Sequence, residues 1–414
     1  MKITIYSHYF VPEIGAPSAR FYDLSQNWLR KGHHVQGVTC LPNHPAGKLY
    51  KGYRKRWYMY EIYDGINVHR HWTYITPNEG LIKKTIGHIS YFPGALLISN
   101  RKVEVPDVTI GTSPTFFAAS AAARSAKRFK VPFVMDVRDL WPAIFVELGI
   151  IKNKNLIKIL EHWEMSLYRR SARIVTVTES FRKKLIERGI DEKKITTIPN
   201  GADVHYWKPE NPSEELKKKL VINEKFIVLY IGAHGISHAL SKIVDTAELM
   251  KHNENIEFIF VGDGAEKRKI VNLAKIKELN NIRFLDPVDK KHVKDFYMIA
   301  DVCLVPLRNI PLFDTFIPSK MFEIMAMGRP IIGSVRGETA TILKRSGGAI
   351  VVEPENCKQI AESILKLYNN PGERIEMGKR GRAFVEGHYS REYLSEKYAD
   401  VLQDAINGYK RGNV

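Results

Sequence analysis

Short runs of β-branched and aromatic residues alternate with longer amphipathic segments along all 414 residues of the chain. This alternation predicts parallel β-sheets covered by helices on both faces, the doubly wound α/β fold class. The predicted strands are Ile3–Tyr6, Val35–Thr39, Val68–His71, Val108–Ile110, Phe133–Asp136, Ile174–Val177, Ile195–Ile198, Phe226–Ile231, Ile256–Val261, Ile282–Leu285, Val302–Val305, Pro330–Gly333 and Ala349–Val352. The predicted helices are Pro17–Lys31, Leu81–Asn100, Thr115–Phe129, Leu156–Arg170, Glu179–Arg188, Leu240–Lys251, Glu266–Lys277, Lys291–Ile299 and Ser319–Met327, with further helix after Pro354.

The chain is long enough for two such domains, since one domain commonly has about 100–200 residues. The clearest domain boundary lies between Asn200 and Pro212, where Gly201 and two prolines interrupt the hydrophobic periodicity. Ligands of open parallel sheets bind outside the carboxyl ends of the strands. The loops after strands are therefore the expected places for chemistry, and we expect the active site in a cleft between the two domains.

Composition excludes several classes of protein. A content of 44% hydrophobic and 26% charged residues is that of a soluble globular protein, and no apolar run reaches the ~18 residues of a membrane span. The start of the sequence lacks the pattern of a signal peptide, and Cys40, Cys303 and Cys357 have neither metal-site nor disulfide spacing. We expect a cytoplasmic protein without a metal cofactor.

The positive charge of the chain is concentrated in its first half. Residues 1–200 contain 31 basic and 16 acidic residues, whereas the remainder contains 32 basic and 29 acidic residues. Such asymmetry predicts that the first half contacts something anionic, such as a lipid surface, a phosphorylated substrate or nucleic acid.

Two loops after strands of the first half contain candidate site residues. Gly15 and Ala16 stand before a predicted helix, whose free N–H groups attract phosphate or carboxylate, and Arg20 lies in its first turn, where a cation needs an anionic partner. Arg138 and Asp139 follow another strand and could form an ion pair, a general base or a substrate clamp. A turn with one surface arginine and a structural ion pair are the plainer alternatives.

The most informative segment of the second half surrounds Lys320. Ser319 is a good helix N-cap residue, and Lys320 in the first turn opposes the helix dipole unless its ammonium meets a phosphate. Glu323 lies one turn further on the same side, and a carboxylate there suits the hydroxyl pair of a ribose. A capped amphipathic helix with an incidental ion pair is the alternative.

Several motifs in a fixed order resemble those of the retaining glycosyltransferases of family 4, which have the GT-B fold. They are the loop around Gly15, Gly32-His33-His34-Val35, Ile198-Pro199-Asn200-Gly201-Ala202-Asp203, Val261-Gly262-Asp263-Gly264 and Phe322-Glu323-Ile324-Met325-Ala326-Met327-Gly328-Arg329-Pro330. The variants Leu41-Pro42-Asn43-His44-Pro45-Ala46-Gly47 and Arg138-Asp139-Leu140-Trp141-Pro142 resemble the branch that builds bacterial surface polysaccharides. The resemblance spans nearly the whole chain.

The resemblance implies two Rossmann-like domains that face a central cleft. Residues 1–203 would hold the acceptor, residues 204–389 would hold a nucleotide-sugar donor, and a final helix at 390–414 would pack back on the first domain. The reaction would retain the anomeric configuration and need no metal.

The resemblance also implies roles for single residues. Glu323 matches the second acid of the family's two-glutamate motif, whereas the first acid is replaced by Thr315. The loop after Ile231 lacks the family's phosphate-binding Arg and Lys, so Lys320 would bind more of the diphosphate charge. The remaining donor contacts would be Gly15, Ala16, His234, Pro287, Val288 and Ser319. Arg138 and Asp139 would be catalytic together with Glu323, and Arg20 and His44 would contact the acceptor or an anion.

Two basic and aromatic segments of the first half suggest a membrane surface. Residues 48–60 interleave five basic with five aromatic residues, and residues 83–102 place an apolar stretch between pairs of cations. Such segments suit the interface of an anionic bilayer, although a solvated basic face over a core helix would look similar. No nucleic-acid-binding motif is present, so we expect no nucleic-acid partner.

The leading hypothesis is therefore a transferase that moves a hexose or an N-acetylated amino sugar from a UDP-sugar to a lipid-linked glycan. It would work in bacterial O-antigen, capsule or exopolysaccharide synthesis at the inner face of the cell membrane. Two alternatives remain open: a GT-B nucleotide-sugar epimerase and a non-catalytic protein that binds sugar nucleotides or polyanions.

Overall fold

A computed structural model describes residues 1–13, 15–44, 47–76, 81–113, 115–143, 146, 151–222 and 224–412, without the side chains of residues 16, 17, 81–84 and 100. The chain forms two compact units. The first consists of Met1–Asn200 and Arg391–Val414, and the second consists of Gly201–Ser390. The fold class of two Rossmann-like α/β domains is confirmed.

The described part of the first unit contains an eight-stranded sheet in the order β3-β4-β2-β1-β5-β6-β7-β8. Its strands are β1 (Lys2–Tyr6), β2 (His34–Cys40), β3 (Tyr58–Tyr63), β4 (Ile66–His71), β5 (Val108–Thr112), β6 (Phe133–Val137), β7 (Arg173–Thr176) and β8 (Ile195–Thr197). Neighbouring strands are parallel except for the antiparallel pair β3 and β4. The loops that follow β1, β2 and β4 therefore lie at one edge of the sheet.

Helices pack on both faces of this sheet. They are α1 (Ala16–Arg30), α2 (Leu81–Pro93), α3 (Ser99–Lys102), α4 (Phe116–Phe129), α5 (Lys154–Arg170), α6 (Glu179–Glu187) and the final helix, which spans Arg391–Lys410. The final helix buries Leu394, Tyr398 and Leu402 in the same core as Trp28 of α1. The Trp28 indole N–H also donates to the Ser395 carbonyl oxygen at 3.0 Å.

The second unit contains a six-stranded parallel sheet in its described part, in the order β11-β10-β9-β12-β13-β14. Its strands are β9 (Phe226–Ile231), β10 (Ile256–Val261), β11 (Ile282–Leu285), β12 (Val302–Pro306), β13 (Ile331–Ser334) and β14 (Ala349–Val352). Its helices are α7 (Glu214–Leu220), α8 (Leu240–Leu249), α9 (Lys267–Ile276), α10 (Lys290–Ile299), α11 (Lys320–Ala326), α12 (Gly337–Ser346), α13 (Cys357–Tyr368) and α14 (Pro371–His388), so that the final helix of the chain is α15. Both faces of the sheet are covered, which explains why its strands are mostly apolar.

The structure adds several elements that the periodicity did not predict. Residues 58–63 form the edge strand β3, and the predicted helix Leu81–Asn100 is interrupted by a π-helical turn at Gly94–Ile98, directly after Pro93. The turn is consistent with the missing N–H of Pro93. Helices α7 and α12 were also not predicted.

No helix in the described part of the chain is long and apolar enough to cross a bilayer.

Candidate active site

Three glycines allow the loops after β9 and β10 to pack closely in the second unit. Gly232 and Gly262 have φ angles of 138° and 142°, which favour glycine. A Cβ atom on Gly262 would lie 2.0 Å from the Gly232 carbonyl oxygen, and one on Gly264 would lie 2.6 Å from the His234 carbonyl oxygen. The backbones are thus in direct contact around His234.

The ammonium group of Lys320 is buried beside this contact. Its nitrogen lies 3.9 Å from the ring centroid of Tyr230, and a Cβ atom on Gly232 would approach it to 2.9 Å. The nitrogen has no hydrogen-bond partner among the described residues. Burial lowers the pKa of Lys320 to about 7, although the nearby Glu323 carboxylate acts in the opposite direction. A buried cation so poorly compensated is suited to bind an anion.

The side chain of His234 lies next to Lys320. His234 is buried, and neither ring nitrogen has a hydrogen-bond partner among the described residues. Burial, followed by repulsion from Lys267 and Lys320, lowers the pKa of His234 to about 4. The imidazole is therefore neutral at pH 7. In this form one ring nitrogen donates a hydrogen bond and the other accepts one.

Glu323 lies one turn along α11 from Lys320. Its carboxylate accepts a hydrogen bond from the Tyr297 hydroxyl at 3.5 Å. Neither Tyr230 nor Tyr297 is distinguished in the sequence, because Tyr230 lies in an apolar strand and Tyr297 in the apolar end of an amphipathic helix. The two tyrosines contact the two charged side chains of this site.

Ser319 is the N-cap residue of α11, as predicted, but its side chain does not cap the helix. Ser319 occupies the N-cap position with helical angles (φ −58°, ψ −31°), and its hydroxyl makes no capping hydrogen bond. Capping by a side chain normally needs extended angles at this position.

Two other loops of the second unit contain residues that the family resemblance singled out. Pro287 is exposed and Val288 is half-buried in the loop between β11 and α10. Thr315, at the place of the family's first acid, donates its hydroxyl to the Leu312 carbonyl oxygen at 2.9 Å. The neighbouring Asp314 lies 3.6 Å from the Arg336 guanidinium.

In the first unit, Arg138 and Asp139 follow β6 as predicted from the strand pattern. The Ser113 hydroxyl oxygen accepts hydrogen bonds from the Arg138 and Asp139 backbone N–H groups at 2.7 and 3.2 Å. Burial raises the pKa of Asp139 to about 6, opposed by Arg138, and burial also lowers the pKa of Arg138 to about 10. Ser113 thus fixes the backbone at Arg138 and Asp139, and the Asp139 carboxyl group has a pKa of about 6.

Arg20 was predicted in the first turn of α1, but the helix begins at Ala16 and Arg20 lies at the start of the second turn. It does meet an anion, and that anion belongs to the protein. Its guanidinium lies 3.2 Å from the Asp136 carboxylate, and it donates to the Ile198 and Pro199 carbonyl oxygens at 2.9 and 3.1 Å. Tyr398 of α15 donates to the same carboxylate at 3.1 Å. These contacts give Arg20 a structural role, and its contact with an acceptor stays a prediction.

His44 is held by a buried carboxylate that the sequence analysis overlooked. Glu13 accepts hydrogen bonds from the backbone N–H groups of Phe10, Asn43 and His44 at 3.2, 2.8 and 2.9 Å. Burial raises the pKa of Glu13 to about 7. The carboxyl group therefore joins the loop after β1 to the loop after β2, and no pattern in the sequence indicates this.

Gly15 and Ala16 stand at the start of α1, as predicted. Gly15 occupies the N-cap position with a φ angle of 151°, and the Ala16 side chain lies outside the described residues. The structure thus brings together His234, Lys320 and Glu323 in the second unit, and Arg138 and Asp139 in the first.

Two doubly wound α/β domains are the architecture of the GT-B fold. The family described as "Glycosyl transferase 4-like domain" matches residues 15–201, and the family described as "Glycosyl transferases group 1" matches residues 212–384. The chain belongs to the GT-B glycosyltransferases of family 4 and is a glycosyltransferase.

A named relative is similar to the whole chain in sequence, and solved structures share its fold. The chain is 23% identical over 381 residues to a putative colanic acid biosynthesis glycosyl transferase, WcaI, of Escherichia coli, covering 88% of this chain and 91% of the relative. Sucrose-phosphate synthase from Thermosynechococcus elongatus is similar in structure, with a TM-score of 0.74 at 16% identity and coverage of 98% and 99% of the two chains. Anabaena HepE in complex with UDP-glucose gives a TM-score of 0.70 at 14% identity, covering 97% and 99%.

Proposed function

We propose that this glycosyltransferase moves a hexose or an N-acetylated amino sugar from a UDP-sugar to a lipid-linked glycan during bacterial surface-polysaccharide synthesis. The observation that carries the donor part is the buried, unpartnered ammonium of Lys320 next to His234 and Glu323. The similarity to the colanic acid transferase supports the polysaccharide part, and the HepE complex supports UDP-glucose or a related donor.

Lys320 is proposed to bind the diphosphate of the donor. A phosphate oxygen would supply the anion that the buried ammonium lacks. Gly232 has no side chain to crowd the ammonium, since a Cβ atom there would lie 2.9 Å from the Lys320 nitrogen. Neutral His234 would hydrogen-bond a phosphate or sugar oxygen. Glu323, whose orientation is supported by the Tyr297 hydroxyl, would accept hydrogen bonds from the ribose hydroxyls.

The transfer is proposed to retain the configuration at the anomeric carbon. The acceptor hydroxyl oxygen bonds to that carbon on the face from which the UDP oxygen departs, and the hydroxyl proton passes to the departing phosphate. No nucleophile from the protein is needed, so its side chains position the reactants and stabilise charge. Asp139 and Arg138 would orient the acceptor in the first unit, and no step is assigned to a metal.

The membrane part of the proposal rests on one face of the first unit. Helices α2 and α5 pack on the same side of the sheet, where Phe117 of α4 contacts Phe92 and Trp163. Their exposed aliphatic residues are Ile86, Ile89, Leu97, Leu156 and Ile159, and exposed cations at 101, 102, 152, 154 and 158 surround them. Exposed apolar side chains among cations suit an anionic bilayer surface. The Lys83 and Lys84 side chains lie outside the described residues.

The donor proposal is tested by thermal denaturation of the purified protein with UDP, GDP, ADP, NAD and double-stranded DNA. A ligand at ~100 times its dissociation constant adds about 2.7 kcal/mol to the free energy of unfolding. We expect UDP to stabilise the protein and Glu323→Ala to abolish the effect. Stabilisation by DNA alone would contradict the proposal.

The transfer proposal is tested with a panel of UDP-sugars and a polyprenyl-diphosphate-linked sugar as acceptor. The expected product contains both sugars, and NMR of its anomeric proton reports the configuration. Release of UDP and a free epimerised sugar, without a joined product, would instead identify a nucleotide-sugar epimerase.

A further inference from the structure

A pair of tryptophans stands at the outer edge of the sheet in the first unit. Trp57 immediately precedes β3 and Trp72 immediately follows β4, so the antiparallel register places them opposite each other. Their ring centroids are 5.1 Å apart with an angle of 51° between the planes, and the Trp72 backbone N–H donates to the Trp57 carbonyl oxygen at 3.1 Å. The backbone hydrogen bond holds the two rings together.

The pair is not part of a hydrophobic core. Trp57 is 74% exposed, although burying an aromatic side chain contributes strongly to stability. A large indole left in solvent and supported by a second indole offers a flat apolar surface to a ligand. The two rings therefore need an explanation beyond folding.

Three consecutive exposed cations come directly before Trp57 in the sequence. Arg54, Lys55 and Arg56 form no ion pair with any residue that the structure describes. The nearest acid along the chain, Glu61, lies in a salt bridge with Arg70. The positive charge beside the tryptophans is thus available to an anion.

The position of the pair at the sheet links it to the reaction. Trp72 follows the carboxyl end of β4, which is parallel to β2 and β1. The loops after β1 and β2, which contain Gly15 and His44, lie at the same edge. Ligands of parallel sheets bind at this edge.

We propose that Trp57 and Trp72 form a stacking platform for an anionic glycan, whose carboxylate or phosphate groups contact Arg54, Lys55 and Arg56. The C–H groups on the flat face of a sugar carry partial positive charge, which the negative face of an indole attracts. Arginines bind carboxylate and phosphate through paired hydrogen bonds. The assignment of this glycan as acceptor rests on the function proposed above.

A glycan fits this surface better than a lipid bilayer does. The platform consists of two paired aromatic rings, whose flat faces match the flat face of a sugar ring. One exposed aliphatic residue, Ile62, lies on this hairpin, whereas five others of the first unit lie on α2, the turn after it and α5: Ile86, Ile89, Leu97, Leu156 and Ile159. Residues 48–60, predicted as a membrane contact, are therefore reassigned in this proposal.

The experiment uses the indole N–H signals of the full chain labelled with ¹⁵N-tryptophan. The chain has six tryptophans, and Trp57→Phe and Trp72→Phe assign the two relevant signals. The probes are a tetrasaccharide of galacturonic acid, the neutral tetrasaccharide cellotetraose, phosphatidylcholine vesicles containing phosphatidylglycerol, and a short single-stranded DNA. The acidic tetrasaccharide should shift the Trp57 and Trp72 signals and leave the other four in place.

Variants then separate the two kinds of contact. Trp57→Ala should weaken binding of the acidic tetrasaccharide by about 5-fold or more, by analogy with base stacking on aromatic residues. Arg54→Gln with Arg56→Gln should remove its advantage over cellotetraose. Tyr393→Ala, which removes an exposed ring beside Lys397 on α15, is the matched control and should bind normally.

Three results would overturn the proposal: no shift with either saccharide, shifts with vesicles alone, or shifts with DNA alone. The titration contains no donor, so its result does not depend on sugar transfer. If UDP-sugar turnover failed while the acidic tetrasaccharide shifted the two signals, the platform would stand and the proposed function would not.

Discussion

The ammonium nitrogen of Lys320 lies 3.9 Å from the ring centroid of Tyr230, with no hydrogen-bond partner among the described residues. The ring face provides some compensation for the positive charge, but it cannot replace the water that burial removes. Burial therefore lowers the pKa of Lys320 to about 7, and the missing hydrogen-bond partner prepares the site for an anion.

Replacing Lys320 by Met should weaken binding of UDP by ~10–100-fold, because a charge-assisted hydrogen bond to phosphate is lost. The same variant should raise the melting temperature of the free protein near pH 7, since a buried charge without a partner is removed. Calorimetric titration and thermal denaturation measure the two effects. Lys379→Met, at an exposed lysine paired with Glu376, is the control and should change neither. Unchanged UDP affinity in Lys320→Met would refute the phosphate role.

The affinity for UDP should fall as the pH rises above about 7. The free protein loses the Lys320 proton near pH 7, whereas bound diphosphate would hold the ammonium charged to higher pH. Binding then requires proton uptake, and the affinity falls by up to ~10-fold per pH unit. Titrations from pH 6.5 to pH 9 should show this slope in the wild type and a flat profile in Lys320→Met. A sloping profile in both proteins would assign the effect to another group.

Replacing Glu323 by Gln should weaken UDP binding by ~10-fold or more, since an amide is a poorer partner for two ribose hydroxyls. Binding of inorganic diphosphate, which has no ribose, should hardly change. Calorimetric titration with both ligands separates recognition of ribose from a general disturbance of α11. Glu362→Gln, at an exposed position on α13, should behave as the wild type with both ligands.

Replacing Arg20 by Ala should lower the free energy of unfolding by about 3–5 kcal/mol, because the buried carboxylate of Asp136 loses its cation. Urea denaturation measures this change. The double variant with Asp136→Asn should recover part of the loss, since no buried charge remains unpaired. A stable Arg20→Ala protein with weak acceptor binding would instead favour the predicted contact with an anion.

The rate of sugar transfer should rise with pH through about 6 if the Asp139 carboxylate orients the acceptor. Burial raises the pKa of Asp139 to about 6, so the group is protonated below that pH and ionised above it. Asp139→Asn should reduce kcat/KM by ~10–100-fold and remove this acidic limb. It should also stabilise the fold above pH 6, because the native state no longer buries a charge that the unfolded state exposes. The stabilisation should vanish below about pH 3, where the carboxyl group is largely protonated in both states. A wild-type acidic limb that persists in the variant would exclude Asp139 as its origin.

Membrane binding should depend on the aliphatic residues of α2 and the turn that follows it. Ile89→Asp with Leu97→Asp should abolish co-sedimentation with vesicles containing phosphatidylglycerol, because two exposed apolar side chains become anionic. Ile375→Asp, at an exposed position in the second unit, should leave co-sedimentation intact. Equal binding of all three proteins would contradict the membrane face.

The roles assigned to single residues differ in how far the sequence could predict them. Lys320 and Glu323 could be predicted as site residues, because their spacing places them on one side of a helix and a lysine in a first turn is unusual. Arg20 was found for the same reason, but its partner Asp136 lies 116 positions along the chain. Glu13 was missed because its three backbone donors come from two different loops. The hydroxyl of Ser319 was given a capping role that its backbone angles do not allow.

By itself, the sequence determined the two doubly wound domains, because hydrophobic periodicity is local and each strand or helix records it within a few residues. The order of the glycine and glutamate motifs also determined the family. Only the tertiary structure decided that Lys320 is buried against Tyr230, that Arg20 pairs with Asp136, and that Trp57 stands opposite Trp72 in solvent. Burial and pairing depend on residues far apart in the chain, and they change a side chain's charge and availability without leaving a local pattern.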